Sequence, residues 1–115
     1  MSSKQRLLVT TTFNIEGYRI AEYKGVVRGL VVRSPTIMQG FFSNLKSIVG
    51  GKIGSLTAMC ETARRQAYDL MVDHAIAMGA NAIVSMQYDA SEVAPRLSAA
   101  EVICYGTAVV IQKIS

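Results

Sequence analysis

Apolar and polar positions along the chain follow two different periods. From Arg19 to Arg33, Ala21, Tyr23, Gly25, Val27, Gly29 and Val31 alternate with Ile20, Glu22, Lys24, Val26, Arg28, Leu30 and Val32. A period of two belongs to a strand, whose successive side chains point to opposite faces. Gly25 and Gly29 fall on the small apolar side, where they predict either the close approach of a helix or strand, or a bulge that bends a long strand. Beyond Ser34-Pro35 the period changes, with serine as an N-cap and proline at a first helical position. Ile37, Met38, Phe41, Phe42, Leu45, Ile48 and Val49 recur at helical spacing until Gly50-Gly51 ends the pattern. A second helix is expected from Ser55, its cap, to about Met78, with an apolar stripe of Leu56, Met59, Cys60, Ala63, Ala67, Leu70, Met71, His74, Ala75 and Met78.

The remaining segments read as strands. Leu7 to Thr12 is β-branched and short, followed by a turn at Asn14-Ile15-Glu16-Gly17. Ala82 to Asp89 and Glu101 to Lys113 are the other two, joined by residues 90–98 with Pro95 among them. The expected fold is α+β, a sheet of about four strands with two helices packed on one face. Val102 to Ile111 barely alternates, which predicts a strand covered on both faces. Two helices cover one face, so the other calls for a second copy of the chain.

Composition supports that expectation. The 115 residues make one domain, and half of them are hydrophobic while 17% are charged. That is more apolar surface than a small monomer readily hides, so a homo-oligomer is expected. The apolar run near the C-terminus falls short of the roughly 20 residues a membrane-spanning helix needs. Leu7-Leu8-Val9 gives way at once to three threonines, so no signal-peptide core is read and a cytoplasmic location is expected. Cys60 and Cys104 are isolated thiols without the spacing of a disulfide framework or zinc knuckle.

The net charge of +4 is unevenly spread: residues 1–65 carry ten Lys/Arg against three acids, and residues 66–115 two against five. Such asymmetry favours head-to-tail packing of subunits. The basic residues are scattered singly, without interleaved aromatics, so nucleic-acid binding is not expected.

Candidate chemistry is sparse. Cys104, His74 and Cys60 are the soft or borderline donors for a transition-metal ion, yet Cys60 and His74 stand about 21 Å apart along one predicted helix, so a shared ion would need Cys104 or another subunit. Glu61, Arg65, Asp69 and Asp73, spaced by four, form a stripe of helix neighbours suited to salt bridges. The glycine turn from Ile48 to Ser55 invites comparison with a phosphate loop, but Lys46 stands where the first glycine is needed and Ile53 where the hydroxyl residue is. The turn is therefore read mainly as a hinge between two helices near a subunit boundary, in a homo-oligomeric binding or structural protein; the alternative is an anion site of Lys52, Gly54 and Ser55, with Arg64 as a second charge, in a small phosphometabolite-binding regulator or enzyme. No nucleophile elbow is present and the single histidine lies in a helical stripe, so no catalytic residue is assigned.

Several segments taken in order resemble the YbjQ-like family, small bacterial and archaeal proteins named for heavy-metal binding but of unknown function. They are Thr10-Thr11, Glu16-Gly17, Glu22-Tyr23 with Gly25-Val26-Val27, Phe41-Phe42, Ile48-Val49-Gly50-Gly51-Lys52, Ala63-Arg64, Gly79-Ala80-Asn81-Ala82-Ile83-Val84 and Gly106-Thr107-Ala108-Val109. The resemblance implies a dodecin-like subunit of β-α-β-β type, with an antiparallel sheet and the helices on one side, and a homo-oligomer in the form of a pentameric ring. A heavy-metal ion, if bound, is then expected at a subunit interface. Gln87 and Ser91 stand where carboxylates are frequent in the family, which removes groups a hard cation would use.

Overall fold

The computed structural model describes residues 7–33, 52–94 and 99–114. Among these residues, four strands and one helix follow in the order β1 (Leu8–Val9), β2 (Tyr18–Arg33), α1 (Lys52–Ala77), β3 (Ala82–Ala94) and β4 (Ala99–Lys113). The helix expected between Pro35 and Val49, its Gly50-Gly51 stop and the turn at Pro95 lie outside the described residues. The fold is a small α+β unit.

The strands form one sheet in the order β1-β3-β4-β2. Its β2–β4 and β3–β4 pairs are antiparallel as expected. The expectation of an antiparallel sheet is corrected at β1, which runs parallel to β3 with Leu8 opposite Ala82 and Val9 opposite Ile83. Parallel neighbours need a long crossover, which β2 and α1 supply here. β3 also runs past Asp89 to Ala94, because its distal half pairs with β4 as far as Ala94 opposite Ala99. The helix begins at Lys52, so Ser55 lies inside its first turns and is not the residue that precedes it.

One face of the sheet carries α1. Val27 and Val31 of β2, Ile83 of β3, and Cys104 and Ala108 of β4 are buried against Ala63, Ala67, Met71, Val72 and Ala75 of the helix. The buried helical stripe is narrower than the sequence period implied, since Cys60 and His74 are exposed and Leu70 is 47% exposed. Small side chains let the helix settle low on the sheet. A Cβ built at Gly29 would lie 1.9 Å from the Ala67 carbonyl oxygen and 2.7 Å from the Met71 nitrogen, so only glycine fits beneath the helix there.

Gly25 realises the other expected role. Its φ is 124°, and the β2–β4 register slips between Ile20 and Glu22 and again between Tyr23 and Gly25. Tyr23 is opposite Val109 while Gly25 is opposite Ala108, so the bulge sends these two residues to opposite faces and removes Tyr23 from the side that holds Val27.

The second face is covered at one end. Ala82, Val84, Val109 and Ile111 form a small core there, with Ile15, Tyr18 and Ile20 packed on it. Ala108 and Val109 are both fully buried, so both faces of β4 are covered in this half, as the lack of alternation predicted. At the other end the face is open: Val26 is 69% exposed, Leu30 47% and Val32 43%.

Gly29→Ala tests the close approach. The added methyl meets backbone, which cannot rotate away, so the cost is expected to be at least the roughly 1–3 kcal/mol typical of an overpacked core. Urea unfolding should show a lower midpoint for Gly29→Ala and a smaller fall for an alanine at the open turn position Gly17, where no atom lies within 4 Å of the new methyl and the cost is confined to roughly 1–2 kcal/mol for its φ of 86°.

Candidate functional site

The three donors proposed for a metal are placed in three different settings. Cys104 is fully buried in the middle of β4, where its thiol donates to the Met71 sulfur at 3.7 Å. Burial pushes its pKa up to about 11, an effect partly opposed by a hydrogen bond with Tyr88. At neutral pH it is therefore a protonated, water-excluded thiol, the opposite of the exposed thiolate that metals and oxidants seek.

His74 is exposed at the edge of the sheet. Its Nδ1 accepts a hydrogen bond from the Arg28 backbone N–H at 3.3 Å. An accepting Nδ1 fixes the proton of the neutral ring on Nε2. Coordination through Nε2 would place that proton on Nδ1, facing the Arg28 N–H, so metal binding at Nε2 and this hydrogen bond exclude each other. Cys60 is exposed on α1, fourteen residues and about 21 Å of helix from His74. No three His, Cys, Asp or Glu side chains gather among the described residues. The donors of one subunit do not fit a three- or four-ligand transition-metal centre.

The residues read as an anion site are also separated. Lys52, Gly54 and Ser55 belong to the first turns of α1, whereas Arg64 lies twelve residues, or about 18 Å, further along the same helix. Arg64 instead lines a hollow between α1 and β3.

That hollow encloses about 490 Å³ and is walled by Glu61, Arg64, Arg65, Tyr68, Asp69 and Tyr88. Five of these residues recur on one side of α1 at spacings of three and four. Tyr88 joins them because the strand register sets it opposite Cys104, on the face that carries the helix. The tyrosine pKa values are both raised, chiefly by burial and then by the neighbouring Cys104, while Arg64 pulls Tyr88 back down. Both phenols therefore stay neutral donors at neutral pH. Neither arginine has an ion-pair partner among the described residues. The helical stripe of Glu61, Arg65 and Asp69 was legible as a set of charged neighbours; Tyr88 was not, because its place depends on a register that no local pattern encodes.

The buried thiol gives a pH test. A thiol with a raised native pKa holds its proton more tightly in the folded than in the unfolded state. Its contribution is complete below about pH 9 and is lost as pH rises toward about 11, because the unfolded chain ionises first. Urea midpoints should fall over this range, and fall less steeply for Cys104→Ala. Thiol labelling of the native protein at pH 8 should modify Cys60 promptly and Cys104 only on unfolding.

Relatives of the chain point the same way as its residues. A UPF0145 protein of Legionella pneumophila (strain Corby) is 53% identical over 105 residues, covering 91% of this chain and 98% of that protein. A UPF0145 protein of Burkholderia mallei (strain SAVP1) is 51% identical over 102 residues, covering 89% and 90%. Among solved structures, a protein of unknown function from the DUF74 family of Pediococcus pentosaceus shares the fold, with a TM-score of 0.62 at 18% identity over 92% of this chain and 98% of that one. The sequence profile of the family described as "Putative heavy-metal-binding" matches residues 7–112, and the chain belongs to that YbjQ-like family.

Proposed function

We propose that this protein is a non-enzymatic, cytoplasmic binding or structural protein that works as a homo-oligomer, its subunits burying the open end of the sheet face against one another. The observation that supports this reading most is the exposure of Val26, Leu30 and Val32 along β2, beside Tyr23 at 69%. An apolar row on an edge strand is a liability for an isolated subunit and a ready contact for a second copy. Charge favours a head-to-tail contact: β2 carries Arg19, Lys24, Arg28 and Arg33 against Glu22, while β3 carries Asp89 and Glu92 and no base. A head-to-tail contact closes into a ring when its rotation allows. The ring of five and the dodecin-like subunit remain what the family resemblance implies.

In this reading a heavy-metal ion lies between subunits, since the donors of one subunit do not gather. Cys60 and His74, both exposed, are the ones a neighbouring copy can complete, and His74 gives up its bond to the Arg28 N–H to do so.

Native mass spectrometry of untagged protein at micromolar concentration is expected to show the oligomer. Val26→Lys with Leu30→Lys should shift it to monomer with the circular dichroism of the fold retained, because both positions are solvent-exposed in the single subunit. Monomer in the unsubstituted protein would refute the assembly. Elemental analysis should find stoichiometric metal in the oligomer that is lost in Cys60→Ser and His74→Ala and kept in Cys104→Ser; metal lost only in Cys104→Ser would overturn the interface site.

A further inference from the structure

The hollow between α1 and β3 has the makings of a binding site that needs neither a metal nor the helix start. Its six lining residues sum to no net charge, two arginines against two carboxylates. The charges are not equivalent, however. Arg65 has a carboxylate four residues away on each side, Glu61 and Asp69, both within helical reach. Arg64 has Cys60 and Tyr68 at those positions, so Glu61, three residues back, is its one acidic neighbour on the helix, and Arg65 competes for that carboxylate. Its guanidinium lies close enough to Tyr88 to favour the ionised phenol. Arg64 is thus a cation beside Tyr88, in a hollow that Tyr68 also lines, with a neutral charged row next to it.

We propose that this hollow binds a small planar carboxylate, its anionic group taken by Arg64 and its ring flanked by Tyr68 and Tyr88. Guanidinium is the side chain best shaped for a carboxylate, which it meets with two parallel N–H donors. Tyrosine rings supply flat apolar walls at low entropic cost. A monoanion suits the site better than a dianion, because Glu61 and Asp69 oppose a second negative charge. The same carboxylates accept from a hydroxyl or amino group on the far side of the ligand ring. Cys104, hydrogen-bonded to Tyr88, and Met71 are fully buried and not among the residues that line the hollow. This site is distinct from the one read at Lys52, Gly54 and Ser55, and it stands whether or not the protein assembles.

The test is an amide NMR titration of the full-length protein with 4-hydroxybenzoate, alongside phenol and inorganic phosphate. Saturable shifts are expected for 4-hydroxybenzoate over residues 61–69 and at Tyr88, with phenol and phosphate much weaker. Arg64→Gln should weaken binding roughly tenfold or more, the loss expected when one charge-assisted contact goes. Gln is a good helix former at an exposed position, so the fold should persist and the free spectrum reports whether it does. Lys52→Ala should bind as the unsubstituted protein does. Equal shifts with phenol, undiminished binding by Arg64→Gln, shifts confined to residues 52–55, or no saturable shift would each overturn the proposal.

Discussion

The structure depends on one close contact, the passage of α1 over β2 at Gly29. With the Ala67 carbonyl oxygen 1.9 Å from where a Cβ would stand, helix and strand backbones meet almost directly. Everything buried around that point is matched to it: Ala63, Ala67 and Ala75 on the helix, and Val27, Val31 and Ala108 on the sheet. A low helix fills the core with small groups and leaves little room for larger ones. Among the described residues Met71 is the largest side chain driven fully inward, and it meets Cys104, giving two soft, polarisable groups in the tightest part of the packing. Gly106 plays a related part on β4. A Cβ there would lie 2.7 Å from Ile83, beside the β3 bulge that separates Val84 from Gln87.

The period of two and the choice of Gly29 were enough to foretell a long β2 with something pressed against it, because both are local properties of the sequence. The helix from the 50s to the 70s and the two C-terminal strands were equally plain. Bulges were harder. Gly25 marked one as a possibility, but the slip that sends Tyr23 to the other face is a pairing fact, set jointly by β2 and β4. The parallel placement of β1 was hidden for the same kind of reason: two residues of strand carry no sign of the neighbour they will choose. The buried stripe on α1 is narrower than its period implies, since a period cannot tell how deep a helix sits. Leu70 and Cys60 are in phase with the buried residues and still face solvent.

The same limit governed the candidate site. By residue type, two cysteines and a histidine are the side chains whose chemistry is most conspicuous. The fold gives each a different task. Cys104 fills the core, and His74 satisfies the outward Arg28 N–H of an edge strand, a way of blunting one point of a sheet edge that would otherwise pair with another chain. Cys60 stands on the solvent side of the helix. Ordinary residues instead come together: two arginines, two tyrosines and two carboxylates at helical spacing, with one strand residue delivered by register.

That rearrangement follows from the low helix. Because small residues occupy the centre of the stripe, the longer side chains of α1 are displaced to its flanks, where they overhang the sheet instead of entering it. On the β3 flank they are Glu61, Arg64, Arg65 and Tyr68, and Tyr88 rises to meet them. On the β2 flank, Gln66 and Leu70 stand beside Leu30 and Val32, with Asp69 bordering both hollows, and the hollow there is the more apolar in its residues. One helix therefore separates two surfaces of different character, a charged and aromatic one toward β3 and an apolar one toward the open edge of β2. A surface of the first kind suits a small polar ligand, which needs directed donors, and one of the second kind suits another copy of the chain, which offers area. The depth to which Gly29 lets the helix sink sets both.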